Sequence, residues 1–287
     1  IDLSTGFTGS VTQSGTASIN VGRFGLHVAA GTLTGSTGNL TIAGPLFQTG
    51  GTINDGAGTI AVSGFIERTA GTLTLDSGEF KLNGSTFEQN VNFGQVQSFK
   101  TLTLANTSNT LNILDYGITA TDLIVSAGAK AQFAVGSLTT VTNFTVNGTG
   151  ANYATLGSIN PGESWSLDVS GTQSVNYLKV SDSDASTGDE ITATNSIDLS
   201  NNINWDFGGI ADIVISISPD RKPFKADLDV SMSFTLPGTD GSGVSIYYTL
   251  DGTTPTNAST PYTGSFQIDD SFTVKAIGYA NGNSSSV

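Results

Sequence analysis

Apolar residues recur in pairs along the chain, each pair split by one residue and separated from the last by a nearly constant interval. The pairs are Ile19/Val21, Leu40/Ile42, Ile60/Val62, Phe80/Leu82, Leu102/Leu104, Leu123/Val125, Phe144/Val146 and Trp165/Leu167. Between the pair members lie Asn20, Thr41, Ala61, Lys81, Thr103, Ile124, Thr145 and Ser166, mostly small or polar. That alternation puts both members of a pair on one side of a strand, facing inward. A second apolar column, Leu33, Ile53, Leu73, Phe93, Ile113, Phe133 and Tyr153, repeats with a strictly constant step. The strings Gly31-Thr32-Leu33, Gly51-Thr52-Ile53 and Gly71-Thr72-Leu73 open strands, and Gly44, Gly64 and Gly84 close the next ones, so glycine marks the corners.

A period of roughly twenty residues, divided into two or three short strands, predicts an all-β chain with a parallel β-solenoid of about eight coils. With neighbouring strands about 4.8 Å apart, the seven steps span roughly 34 Å. A pair of antiparallel β-sandwiches fits the same turn frequency and stays open as the competing architecture. From about Ser170 the period is lost, and residues 170–207, with the acidic run 181–190, read as a cap on the ladder. Gly208-Gly209 is the predicted linker between a domain at 1–207 and a second at 210–287. In the second domain Leu228, Val230, Met232 and Phe234 alternate, as do Val244, Ile246, Tyr248 and Leu250, followed by Phe266/Ile268 and Phe272/Val274/Ala276. With turns at 237–243 and 251–255, this predicts a small immunoglobulin-like antiparallel sandwich.

The run Ile246-Tyr247-Tyr248-Thr249-Leu250-Asp251-Gly252-Thr253-Thr254-Pro255-Thr256, with Tyr262, Gly264, Phe266 and Thr273-Val274-Lys275-Ala276, resembles the fibronectin-III-like accessory domain of chitobiases and β-hexosaminidases. The similarity covers residues 211–287 and implies a spacer or accessory sandwich without catalytic residues. Members of that family continue past the turn at 281–284 into a final strand. Here the chain stops at Val287, so the sandwich is expected to lack its last strand or to receive it from a neighbour. The repetitive part resembles bacterial surface proteins of the filamentous-haemagglutinin and autotransporter-passenger kind, which implies an extracellular, cell-surface location.

Composition narrows the partners. Only 12% of residues are charged, against about 25% in an average domain, and the net charge is −14. A nucleic-acid partner is therefore not expected, because a phosphate backbone needs clustered Lys and Arg. The absence of cysteine rules out disulfides and thiolate metal sites. No stretch approaches the roughly 18 apolar residues of a membrane span. The chain shows no signal peptide and begins at Ile1 rather than Met, so a segment of a longer protein is expected.

Candidate chemistry is sparse. The lone His27, between Leu26 and Val28, is expected to face outward rather than to serve a Ser-His-Asp triad. Glu67, Glu79, Glu88 and Glu163 could in principle pair as glycosidase acids, but on a solenoid face they read as solvated. Asp182, Asp184, Ser186, Asp189 and Glu190 form the densest oxygen-rich cluster and the candidate Ca²⁺ site. An EF-hand is excluded, since Thr187 and Ala193 stand where Gly and Glu are required. Thr32, Thr52 and Thr72, with Thr34 and Thr74, form a candidate hydroxyl array for ice or polysaccharide. Tyr247, Tyr262 and Tyr279 are the candidates for an assembly or sugar-stacking surface. Together these features predict a non-enzymatic structural subunit or stalk of a bacterial extracellular filament, surface layer or adhesin that self-associates. The alternative is a carbohydrate-binding accessory region of a larger secreted glycan-active enzyme.

Overall fold

In the computed structural model, which describes residues 1–84, 88–107, 110–114, 117–207, 214–218, 228–235, 244–268, 272–280 and 283–284, the apolar pairs become a stack. Ile19/Val21 pair in parallel with Leu40/Ile42, and the column continues through Ile60/Val62, Phe80/Leu82, Leu102/Leu104, Leu123/Val125 and Phe144/Val146. Every member except Ile19 is buried. Parallel pairing decides between the two architectures, because a sandwich of hairpins would pair antiparallel. The named strands of residues 1–206 all pair in parallel, making a β-solenoid of about nine coils, whose eight steps span roughly 38 Å at the same spacing.

Each coil supplies segments to three ladders. The first runs from Asp2–Leu3 through Leu26–Val28 to Ile197–Asp198, the second from Ser10–Thr12 through Thr32–Thr34 to Ser183–Asp184, and the third from Ile19–Val21 to Trp205–Asp206. Longer strands such as Leu46–Asn54 and Ile66–Leu82 turn a corner without breaking. At one corner Gly31, Gly51 and Gly71 all have positive φ, 68°, 60° and 92°. A Cβ on Gly71 would stand 2.3 Å from the Gly50 carbonyl oxygen, so no side chain fits there.

Two columns depart from the expected register. Trp165/Leu167 do not follow Phe144/Val146; they lie on the second ladder, where Leu167 pairs with Thr139 and Val169 with Val141. The third ladder passes from Val146 directly to Val175, a longer step than any before it, because this coil carries extra residues at its corners. Trp165 is still fully buried, stacked on Phe133 at 4.1 Å between ring centroids. In the second column, Leu33, Ile53 and Leu73 stack as expected. Ile113 and Phe133 belong instead to the first ladder, above Val91. Phe93 follows that strand and packs with Phe80 and Phe99, centroids 6.0 and 5.5 Å away.

The segment 170–207 continues the ladder instead of capping it. Gln173–Asn176, Leu178–Val180, Ser183–Asp184, Ile191–Thr194, Ile197–Asp198 and Trp205–Asp206 are all coil strands. The coil there has shortened, so that Val175 already pairs with Ala193. Its corners use left-handed polar residues, Tyr177 and Asn195 at one, Asp182 and Asn201 at another. Asn and Asp tolerate that conformation better than most residues.

Buried amides tie the corners. Gln89 Nε2 donates to the carbonyls of Val62 at 2.8 Å and Gly64 at 2.9 Å, while its Oε1 accepts from Gly84 N–H. The buried Arg68 donates Nε to Gln48 Oε1 at 3.1 Å and Nη1 to the Phe93 carbonyl at 2.9 Å. Such side chains satisfy turn carbonyls that the ladders leave without partners.

Residues 207–287 form the second compact unit. Val214–Ser218, Leu228–Thr235 and Phe266–Ile268 make one antiparallel sheet; Thr260–Pro261, Ser245–Thr249, Lys275–Ala280 and Asn283–Ser284 make the other. Val230, Met232, Ile246, Ile268 and Ala276 are its buried core, with Tyr248 stacked on Phe266 at 4.6 Å. Phe272, expected inside, is 44% exposed. Asn283–Ser284 pair back on Tyr279–Ala280. The predicted linker Gly208-Gly209, the turn at 237–243 and Asn281-Gly282 lie outside the described residues. Among the described residues no helix is long and apolar enough to cross a membrane.

Column packing and amide corners make separate contributions to stability. Leu104→Ala should cost about 2–5 kcal/mol, and Gln89→Leu, which strips donors from two carbonyls, about 1–3 kcal/mol. Asn20→Ala, on the exposed phase, should change stability by less than about 0.5 kcal/mol. Urea unfolding midpoints check all three.

Candidate functional site

The first ladder carries a chemically varied outward row. Because Leu26 and Val28 are buried, His27 points outward, and Asp2, His27, Phe47 and Glu67 form one outward row on successive coils. Phe24 and Phe65 occupy corners just before these strands and are 86% and 42% exposed. The rings lie edge to face, His27 to Phe47 at 6.4 Å and Phe47 to Phe65 at 5.0 Å, and the Arg23 guanidinium lies 5.0 Å from the Phe24 centroid. A cleft of about 510 Å³ opens between Phe24, Phe47, Asp2, His27 and Thr49.

His27 Nδ1 lies 3.1 Å from Asp2 Oδ1, and Nε2 lies 3.2 Å from Thr49 Oγ1. Carboxylate, imidazole and hydroxyl thus stand in the order of a hydrolytic triad. The His27 and Asp2 side chains are 39% and 67% exposed, and a contact so wet contributes only about 0–1 kcal/mol. The two contacts orient the imidazole beside the aromatic rings. His27 faces outward as its strand position predicts, whereas Phe24, Phe47 and Phe65 are not among the residues expected to form a site. The available signal was aromatic residues at the outward phase of Leu46-Phe47-Gln48 and at two corners.

The other candidates are dispersed. Glu79 accepts from Thr59 Oγ1 at 2.8 Å and Thr103 Oγ1 at 2.6 Å, Glu88 from Asn112 Nδ2 at 2.8 Å, and Glu163 from Asn160 Nδ2 at 2.9 Å. Glu67 stands next to Phe47 in the outward row. Among the described residues, no group of three or more His, Asp or Glu converges on a possible metal position. The candidate calcium residues are divided accordingly. Asp182 is buried, its Oδ1 accepting from Gly162 N–H at 3.0 Å and Asn201 Nδ2 at 2.9 Å. Asp184 turns to its own loop and accepts from Ser186 N–H at 2.9 Å, while Asp189 and Glu190 are exposed. The side-chain and backbone hydrogen bonds from Ser186 hold the Asp184 carboxyl below the usual carboxylate range.

The threonines do come into register: Thr32, Thr52 and Thr72 pair in sequence, as do Thr34, Asn54 and Thr74. In the second unit, Tyr262 packs against the core and its hydroxyl oxygen accepts from Met232 N–H at 3.0 Å. Tyr247 and Tyr279 meet edge to face at 5.6 Å, on neighbouring strands of one sheet. A cleft of about 320 Å³ borders Tyr247, Tyr262 and Met232.

Comparison with known families matches residues 234–287 to the family described as Fn3 associated. No curated protein and no solved structure matches the chain.

Two outcomes follow for the acidic loop. Asp182→Ala, which removes the buried carboxylate that accepts from the Gly162 N–H and the Asn201 amide, should lower stability by about 1–3 kcal/mol, equally with and without calcium in a thermal melt. A depressed carboxyl contributes stability that is present above its unfolded value, about 3.9, and lost as pH falls through the lower folded value. Carboxyl NMR should therefore place the Asp184 midpoint below that reference, and Ser186→Ala should raise it.

Proposed function

We propose that the chain is a non-enzymatic structural segment of a bacterial extracellular assembly, a stalk or subunit of a filament, surface layer or adhesin. The observation that carries this reading is where the polar side chains direct their hydrogen bonds. They run from coil to coil: Ser63 to Asn83 at 3.1 Å, Ser98 with Thr119 at 2.8 Å, Asn143 to Asp122 at 2.8 Å, and Thr172 to Asn143 at 2.6 Å. A surface organised in that way reinforces a rod. The Fn3-associated match supports an accessory sandwich on the same chain, and the resemblance to surface repeat proteins supports the extracellular location.

Self-association is proposed to run through ladder edges or exchange of a strand between copies, since parallel ladders accept further strands. Purified protein should form ordered rods or fibres with rising concentration, seen by electron microscopy and sedimentation velocity. A sharp monomer at all concentrations would remove the assembly part. The second reading, a carbohydrate-binding accessory region of a larger secreted glycan-active enzyme, draws its support from the aromatic cleft beside His27.

A further inference from the structure

We propose that this cleft binds a neutral pyranose unit of a polysaccharide, with Phe24 and Phe47 as stacking platforms and Asp2, His27 and Thr49 as hydrogen-bonding partners. Binding there is independent of assembly and fits a stalk as well as an accessory region.

Phe24 at 86% exposure leaves nearly a whole aromatic ring in water, an unfavourable arrangement that a stacking ligand would relieve. It does not stand alone. Phe47 and Phe65 follow on the next coils, edge to face with ring centroids 5.0 Å apart, so aromatic surface continues beside the cleft.

The identity of the occupant follows from three features. Aromatic faces beside a carboxylate, an imidazole and a hydroxyl suit a ligand that is apolar on its ring faces and polar around its rim. A purely apolar ligand would leave those three groups without new partners, whereas sugar hydroxyls both donate and accept. Size argues for a small unit: 510 Å³ lies within the usual range of roughly 300–1,000 Å³ for small-ligand sites, while a protein partner needs roughly 800 Å² per side. Charge argues for neutrality. Asp2 and Glu67 border the platform, the chain carries −14 overall, and Arg23 already takes the cation position over Phe24.

Native affinity electrophoresis of the full chain through gels containing hydroxyethylcellulose, laminarin or glycol chitin tests the proposal, with polygalacturonate as the anionic comparison. At least one neutral polymer should retard the protein. Phe24→Ala should weaken that retardation roughly tenfold, the order of one lost aromatic contact, and Asp2→Asn should weaken it as well. Phe272→Ala, at an exposed ring of the second unit, should leave it unchanged. Far-UV circular dichroism and an unchanged melting temperature establish that the variants fold; Phe24 sits in an exposed corner, so its truncation removes no core. Retardation by none of the neutral polymers, by polygalacturonate alone, or to the same extent after Phe24→Ala overturns the proposal. Fibre formation measured on Phe24→Ala separates the two readings, because loss of binding with intact assembly supports the site and leaves the stalk standing.

Discussion

Parallel stacking of like residues is the constraint on which the solenoid depends. A strand pairing in register with the strand one coil earlier puts each inward side chain directly over its counterpart, so Val21, Ile42, Val62, Leu82, Leu104, Val125 and Val146 form one continuous apolar column. No single coil of about twenty residues encloses a core; each is buried by its neighbours above and below. Everything else follows from keeping that register. Corners must be narrow enough for backbones to stack, hence the left-handed Gly31, Gly51 and Gly71. Turn carbonyls must find donors inside the coil, hence buried Gln48, Arg68 and Gln89.

The same constraint decides how much of the fold can be read from the sequence. From Ile19 to Val146 the coils keep nearly equal length, and the inward phase of the third ladder is visible as apolar pairs. The reading slips where a coil changes length. Extra corner residues before Trp165 move that residue to another ladder, yet its pattern with Leu167 is the one that any inward-facing strand shows. Period alone cannot distinguish one ladder from the next, since all three present apolar residues inward. After Ser170 the coil shortens and its corners change from Gly to Asn and Asp, so the period and the glycine pattern end while the ladder goes on.

Functional chemistry was less legible for a related reason. The acidic cluster at 182–190 is contiguous in sequence, but alternation and the left-handed corner at Asp182 send its carboxylates to different partners. The aromatic cleft has the opposite character. Phe24 and His27 share one coil, but Phe47 and Phe65 come from the next two and join them only when consecutive coils stack. Tyr262 shows the limit of reading aromatics by type: a tyrosine whose hydroxyl is tied to a backbone N–H and whose ring lies on the core is framework.

A solenoid separates two selections that globular folds entangle. The inward phase is bound to volume and register, because a column tolerates neither a gap nor an overfilled layer without disturbing the coils on both sides. The outward phase is bound only to solubility and strand propensity, so Thr, Ser and Asn suffice for most rungs. Large aromatic residues on outward rungs are therefore costly to leave in water and add little to the core. Phe24 packs against no column, and Phe47 and Phe65 stand outside the buried set. Their clustering on neighbouring coils around the chain's lone histidine asks for an explanation outside the demands of the fold, and an external ligand that covers the rings meets that demand.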